Sequence, residues 1–164
     1  MDPRIETMQL RLIGVQGIIR LDGDVSEDLG ALYARLFGSL RQIPDISRPH
    51  RTFGYWQFVQ SQVRVYFAGI EVDSFRHFKW DYERGLVAWA SGLTTFAMWK
   101  ERNGQEGKLR ESGLCWDWLA QSPYLYNTRF LGDFEVYYWK TVARDPQSEY
   151  HEVWIPVAEK AGRP

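Results

Sequence analysis

Apolar and polar residues alternate along Met8-Gln9-Leu10-Arg11-Leu12-Ile13-Gly14, the period-two rhythm of a strand with one buried face. The rhythm changes after Asp24. Leu29, Leu32, Tyr33, Leu36, Phe37 and Leu40 recur at helical spacing, and Asp24-Val25-Ser26-Glu27-Asp28 supplies a polar cap and early acids that suit a helix N-terminus. Gln42 to Pro49 holds two prolines and reads as a loop. Thr52 to Phe58 and Arg64 to Val72 read as strands, and the polar link Gln60-Ser61-Gln62 predicts a hairpin between them.

A mixed-charge loop from Asp73 to Arg84 separates this half from the next. Leu86 to Ala90 is a short extended stretch, and Leu93 to Lys100 is a fuller strand. After Gly104 and Gly107, a second helix draws its apolar positions from Leu109, Leu114, Trp116, Trp118 and Leu119. It ends before Ser122-Pro123, because proline disfavours helix in the residue before it. Phe134 to Lys140 and Glu149 to Val157 are the closing strands.

The order strand, helix, strand, strand therefore occurs twice. Phe53-Gly54-Tyr55 and Phe134-Glu135-Val136 lie 81 residues apart, and the two helices are separated by a similar distance. The pattern predicts an α+β fold of duplicated βαββ units with pseudo-two-fold symmetry: an antiparallel sheet with helices and a ligand cleft between the halves. With no linker between them, residues 1–164 read as one domain, with repeats at about 7–73 and 86–158.

Net charge is −1, from 20 basic and 21 acidic residues, so no basic excess exists to hold a nucleic-acid backbone directly. No apolar run approaches the roughly 20 residues of a spanning helix. The N-terminus, Met1-Asp2-Pro3-Arg4-Ile5-Glu6, lacks the apolar core of a signal peptide, and a cytoplasmic location is the expectation. Cys115 is the one cysteine, and His50, His77 and His151 lack metal-ligand spacing, so no metal and no cofactor are expected. The Lys100-Glu101-Arg102-Asn103 and Lys108-Leu109-Arg110-Glu111 runs read as a solvated turn and helix face.

Eight Trp, nine Tyr and nine Phe exceed what a core of this size requires, and the excess favours a ring-lined pocket. Within Asp133-Phe134-Glu135-Val136-Tyr137-Tyr138-Trp139, alternation puts Glu135, Tyr137 and Trp139 on one face. A carboxylate among rings is costly to bury unless paired, so it suits a ligand that brings positive charge and a flat apolar body. An exposed strand position or an internal arginine partner explains Glu135 equally well on this ground alone.

The segments Gly85 to Ala90 and Thr95-Phe96-Ala97-Met98-Trp99 resemble the GyrI-like small-molecule-binding family, which includes effector-binding domains of AraC-type and multidrug-responsive regulators. So do Trp118-Leu119, Phe134-Glu135-Val136-Tyr137, Ile155-Pro156-Val157 and, more loosely, Tyr66 to Val72. The resemblance runs from about Met8 to Val157. Ala90-Ser91-Gly92-Leu93, Trp99 and Trp154 depart from the family pattern. The resemblance implies the duplicated fold, a stand-alone member without a helix-turn-helix, and a central acid, Glu135, that meets planar lipophilic cations.

The candidate ligand-binding set is Glu135 with Tyr137, Trp89, Trp154, Tyr55, Phe96 and, as a second acid, Glu71. The first reading is a binding protein for cationic or amphipathic aromatic compounds, acting as sensor, buffer or resistance factor. The second is a hydrolase of strained, cyclopropane-type electrophiles with Glu135 as general acid or base. No catalytic pair that only an enzyme would need is visible. A homo-oligomer, or a partner regulator docked at a sheet edge, is a third expectation.

Overall fold

In the computed structural model, residues 2–60, 63–80, 83, 85–102, 113–141 and 147–161 are described. The first half runs β1 (Arg4–Arg20), α1 (Val25–Gly38), β2 (Arg51–Gln60) and β3 (Val63–Glu71). The second runs β4 (Leu86–Arg102), α2 (Leu114–Gln121), a short β5 (Tyr124–Tyr126), β6 (Phe134–Thr141) and β7 (Gln147–Glu159). All the strands belong to one antiparallel sheet in the order β4-β1-β3-β2-β6-β7-β5. A further β4–β7 pairing, from Thr95 opposite Val157 to Arg102 opposite Tyr150, joins the sheet back on itself. Six strands thus form a closed ring, with β5 added beside β7.

The predicted α+β class, an antiparallel sheet with helices, is the one observed. Two strands are longer than their local pattern. β1 exceeds Met8–Gly14 because its first part pairs with β4 and its last part with β3. β4 unites the two stretches expected at Leu86–Ala90 and Leu93–Lys100. A bulge in the β1–β4 register and a left-handed Gly92 (φ 66°) carry the chain through the break, as bulges commonly do. Leu109, expected in the second helix, lies outside the described residues.

The two segments that are 81 residues apart pair with each other. Gly54 faces Glu135, with Phe53 opposite Val136 and Tyr55 opposite Phe134. The axis relating the halves therefore passes between Gly54 and Glu135. On the other side of the ring Leu10 and Ser91 are also 81 residues apart, and the Leu10 amide donates to Ser91 Oγ at 2.9 Å.

Closure divides every strand into an inner and an outer face. Leu10, Leu12, Phe53, Phe67, Phe96, Phe134, Val136 and Trp154 are fully buried and fill the ring, as side chains do in a small barrel. Outside it, Leu32 and Leu36 of α1 pack on Ile13, Val15, Ala68 and Ile70. Full burial of each leucine contributes about 1.5–3 kcal/mol. Cys115 and Leu119 of α2 pack on Ala97, Trp99, Val153 and Ile155. Asp24 caps α1 as its sequence predicts, Oδ1 accepting from the Glu27 amide at 3.0 Å. β6 lies between the strands covered by α1 and those covered by α2.

Candidate functional site: a tyrosine-held carboxylate beside the first helix

Alternation along β6 sends Phe134 and Val136 into the ring, which turns Glu135, Tyr137 and Trp139 outward, towards α1. Glu135 is partly buried there. Its Oε2 accepts from Tyr66 Oη at 2.9 Å and from Tyr137 Oη at 3.3 Å. Behind Tyr66, its hydroxyl meets Tyr33 Oη, from α1, at 3.0 Å. Two hydroxyls, from β3 and β6, thus bond the carboxylate, and a third, from α1, backs the first.

Gly54 makes this possible. A Cβ at position 54 would lie 1.5 Å from Tyr66 Oη and 2.6 Å from Tyr33 Oη. The hollow left by the missing side chain is where the two hydroxyls sit. Rings wall the site: Tyr33 meets Tyr137 edge-on with centroids 5.7 Å apart, and Phe37 meets Trp139 edge-on at 5.0 Å. Trp56 closes the far side against Tyr66 at 4.7 Å. Trp139 is held by an indole bond from Nε1 to Thr52 Oγ1 at 2.8 Å.

Burial pushes the Tyr33 and Tyr66 hydroxyls well above the usual tyrosine range, and the negative charge of Glu135 adds to the effect. Both therefore stay protonated at neutral pH. A proton kept on Tyr66 makes it a steady donor to Glu135 Oε2. The arrangement sets a carboxylate and several rings side by side on the outer face of the sheet.

The architecture around this site has been seen before. No family model matches the sequence, and no curated protein matches it significantly. Solved structures do. The EcmrR C-terminal domain superposes with a TM-score of 0.66 at 11% identity, over 97% of this chain and 98% of that one. This chain has the fold of the EcmrR C-terminal domain. It is also the fold expected from the GyrI-like resemblance. EcmrR in its complex with DNA superposes with a TM-score of 0.66 at 14% identity, and this chain spans 58% of that longer chain. SAV2435, solved bound to tetraphenylphosphonium, superposes with a TM-score of 0.59 at 7% identity, over 96% of this chain and 94% of that one.

Within this EcmrR-like fold, the other residues expected beside Glu135 lie elsewhere. Phe96 and Trp154 are fully buried inside the ring, their centroids 5.5 Å apart. Tyr55 stacks on Phe134 at 4.4 Å, and Trp89 packs on both. These four rings sit on the face of the sheet opposite Glu135, because strand parity and closure turn them inward. Glu71 is an ion-pair partner at a strand end: Arg51 Nη2 approaches it at 2.5 Å and Arg48 Nε at 3.8 Å. Of the candidate set, only Tyr137 is brought to Glu135.

The charged run Lys100 to Asn103 differs from its expectation as a solvated turn. Glu101 is part of β4, is buried, and pairs with the buried His151 Nε2. His151 lies opposite Tyr137 in the β6–β7 register, with ring centroids 5.6 Å apart. Asn103 and the Lys108 to Glu111 run lie outside the described residues.

Sequence reasoning missed Tyr33, Tyr66 and Gly54 as site residues. Tyr33 was legible only as a member of the helix's apolar stripe. For Gly54 a signal existed, since it occupies the repeat position equivalent to Glu135.

Proposed function

We propose that this protein binds a cationic or amphipathic aromatic small molecule at Glu135, in the cytoplasm, as an effector- or drug-binding protein. The observation that carries the reading is the carboxylate that accepts from Tyr66 and Tyr137 inside a wall of rings. Such a site offers a cation both a countercharge and ring faces, the latter contributing about 0.5–2 kcal/mol each. Tyr137 and Trp139, both partly exposed, are the rings that a ligand at Glu135 would meet. The likeness to a protein solved with tetraphenylphosphonium supports the ligand class. A ligand-dependent effect on transcription or drug resistance, through a partner regulator or a homo-oligomer, is the corresponding biological role.

Tetraphenylphosphonium is the probe. Its binding, followed by quenching of tryptophan fluorescence, should weaken about tenfold or more in Glu135→Gln, the scale of a ~1.4 kcal/mol contribution. Unchanged affinity across several lipophilic cations would remove Glu135 from the site. Turnover of a strained cyclopropane electrophile, lost in the same variant, would replace binding by hydrolysis as the function.

A further inference from the structure

Away from Glu135, two loops form the walls of a surface pocket of about 390 Å³. One wall is Arg41, Gln42 and Pro44, just after α1; the other is His77, Lys79 and Trp80, after β3. Leu86, buried at the start of β4, contributes the floor. We propose that this pocket is a second ligand site, for a planar aromatic ring that carries an anionic group such as a phosphate or carboxylate.

Charge is the first ground. Arg41 and Lys79 flank the pocket, and no carboxylate is among its described lining residues. The chain as a whole carries a net charge of −1, so two cations in one lining are not a consequence of overall composition; the carboxylate that meets the lining, Asp45, is engaged by His77 Nδ1 at 2.8 Å. Two cations facing one concavity raise the local concentration of anions and set their orientation.

The ring at the rim is the second ground. Trp80 is 59% exposed, a large apolar surface left in water at the edge of a concavity. Phe78 meets it edge-on at 5.5 Å and packs against the α1-side core, which anchors the segment beneath the indole. A flat ligand stacked on Trp80 with its acid group towards Arg41 and Lys79 satisfies both features.

Preorganisation is the third ground. The two loops are tied to each other at four points. Ile46 bridges Val72; the Ser47 amide donates to the Glu71 carbonyl at 3.0 Å; the Asp73 amide donates to the Asp45 carbonyl at 2.9 Å; and His77 Nδ1 lies 2.8 Å from Asp45 Oδ2. Asp45 holds a left-handed backbone (φ 61°), uncommon outside glycine, at the centre of these ties. These ties hold together the backbones of the loops that carry the walls, which limits the freedom lost on binding. The Asp45 contact also sets the His77 ring, leaving Nε2 as its second polar atom.

The test uses 1-naphthyl phosphate, with 1-naphthol as its neutral counterpart, in calorimetric titration of the intact chain. The phosphate should bind at least tenfold more tightly than the naphthol. Arg41→Ala/Lys79→Ala should abolish that preference, and Trp80→Ala should weaken both ligands. Tetraphenylphosphonium should not displace the phosphate, since the two sites take opposite charges. No binding, equal affinity for phosphate and naphthol, full binding to the double variant, or displacement by tetraphenylphosphonium each overturns the proposal. Glu135→Gln should leave phosphate binding unchanged, so failure here and failure of the cation site are separable. The substituted side chains are exposed, and an unchanged urea midpoint shows that the variants remain folded.

Discussion

Gly54 lies directly opposite Glu135 in the β2–β6 register, at the axis that relates the two halves, and the space it leaves holds the Tyr66 hydroxyl that bonds that acid. One repeat position thus carries the acid in one half and no side chain in the other. Gly54→Ala should push Tyr66 and Tyr33 out of place, since Cζ of Tyr66 would be only 2.5 Å from the new Cβ and β-sheet backbone cannot yield far. The expected cost is about 1–3 kcal/mol, the range for overpacking, read as a lower urea midpoint with an unchanged slope. Cation affinity should fall in the same variant.

Tyr66→Phe removes one donor to Glu135 while keeping the ring. A hydrogen bond to a charged group contributes about 1.5–3 kcal/mol, so stability should drop by that order, measured by denaturant titration. Tyr137→Phe, at the longer contact and partly exposed, should cost less.

The buried tyrosines give the protein an alkaline limit. Burial first, then nearby negative charge, raises Tyr33 and Tyr66 well above the ordinary value of 10.0, while Tyr138 is pushed up to about 12. The unfolded chain loses these protons near the ordinary value and the folded chain holds them, so the folded state binds more protons there. Their contribution is therefore full below about pH 10 and declines as pH rises above it. Tyrosinate absorbance should show the Tyr33 and Tyr66 hydroxyls titrating only together with unfolding. Titration of all nine tyrosines near pH 10 in the folded protein would contradict it.

His151 and Glu101 form a buried pair beside Tyr137. Replacing one partner alone removes this bond while leaving the other polar group buried, and should cost more than replacing both by apolar residues of similar volume. His151→Leu, Glu101→Leu and the double variant, compared by urea unfolding, measure this coupling.

Trp154 and Trp139 separate core from site. Trp154 fills the closed ring, and Trp154→Ala should cost about 3–5 kcal/mol. Trp139 is partly exposed beside Tyr137. Trp139→Ala should act chiefly on cation affinity. If Trp154 variants lose affinity without losing stability, the ligand enters the ring and does not bind at Glu135 on the outer face.

Much of this was written in local pattern. Period-two and period-3.6 alternation located β1, α1, β2, β3 and the strands around Phe134 and Trp154, because each buries one face whatever it packs against. The 81-residue repeat was visible, and with it the equivalence of Gly54 and Glu135. Parity put Tyr137 on the Glu135 face, because side chains in a strand alternate without reference to the partner strand. What local pattern lacks is which way a whole strand faces. That depends on β4 pairing with both β1 and β7, contacts between residues far apart in the chain. Ring closure turned Tyr55, Trp89, Phe96 and Trp154 inward and away from Glu135. It also buried Glu101 against His151, in a stretch whose charge alone reads as solvated, and brought Tyr33 and Tyr66 from different elements into the space above Gly54. Composition put acids and rings in one chain; long-range strand pairing chose which of them meet.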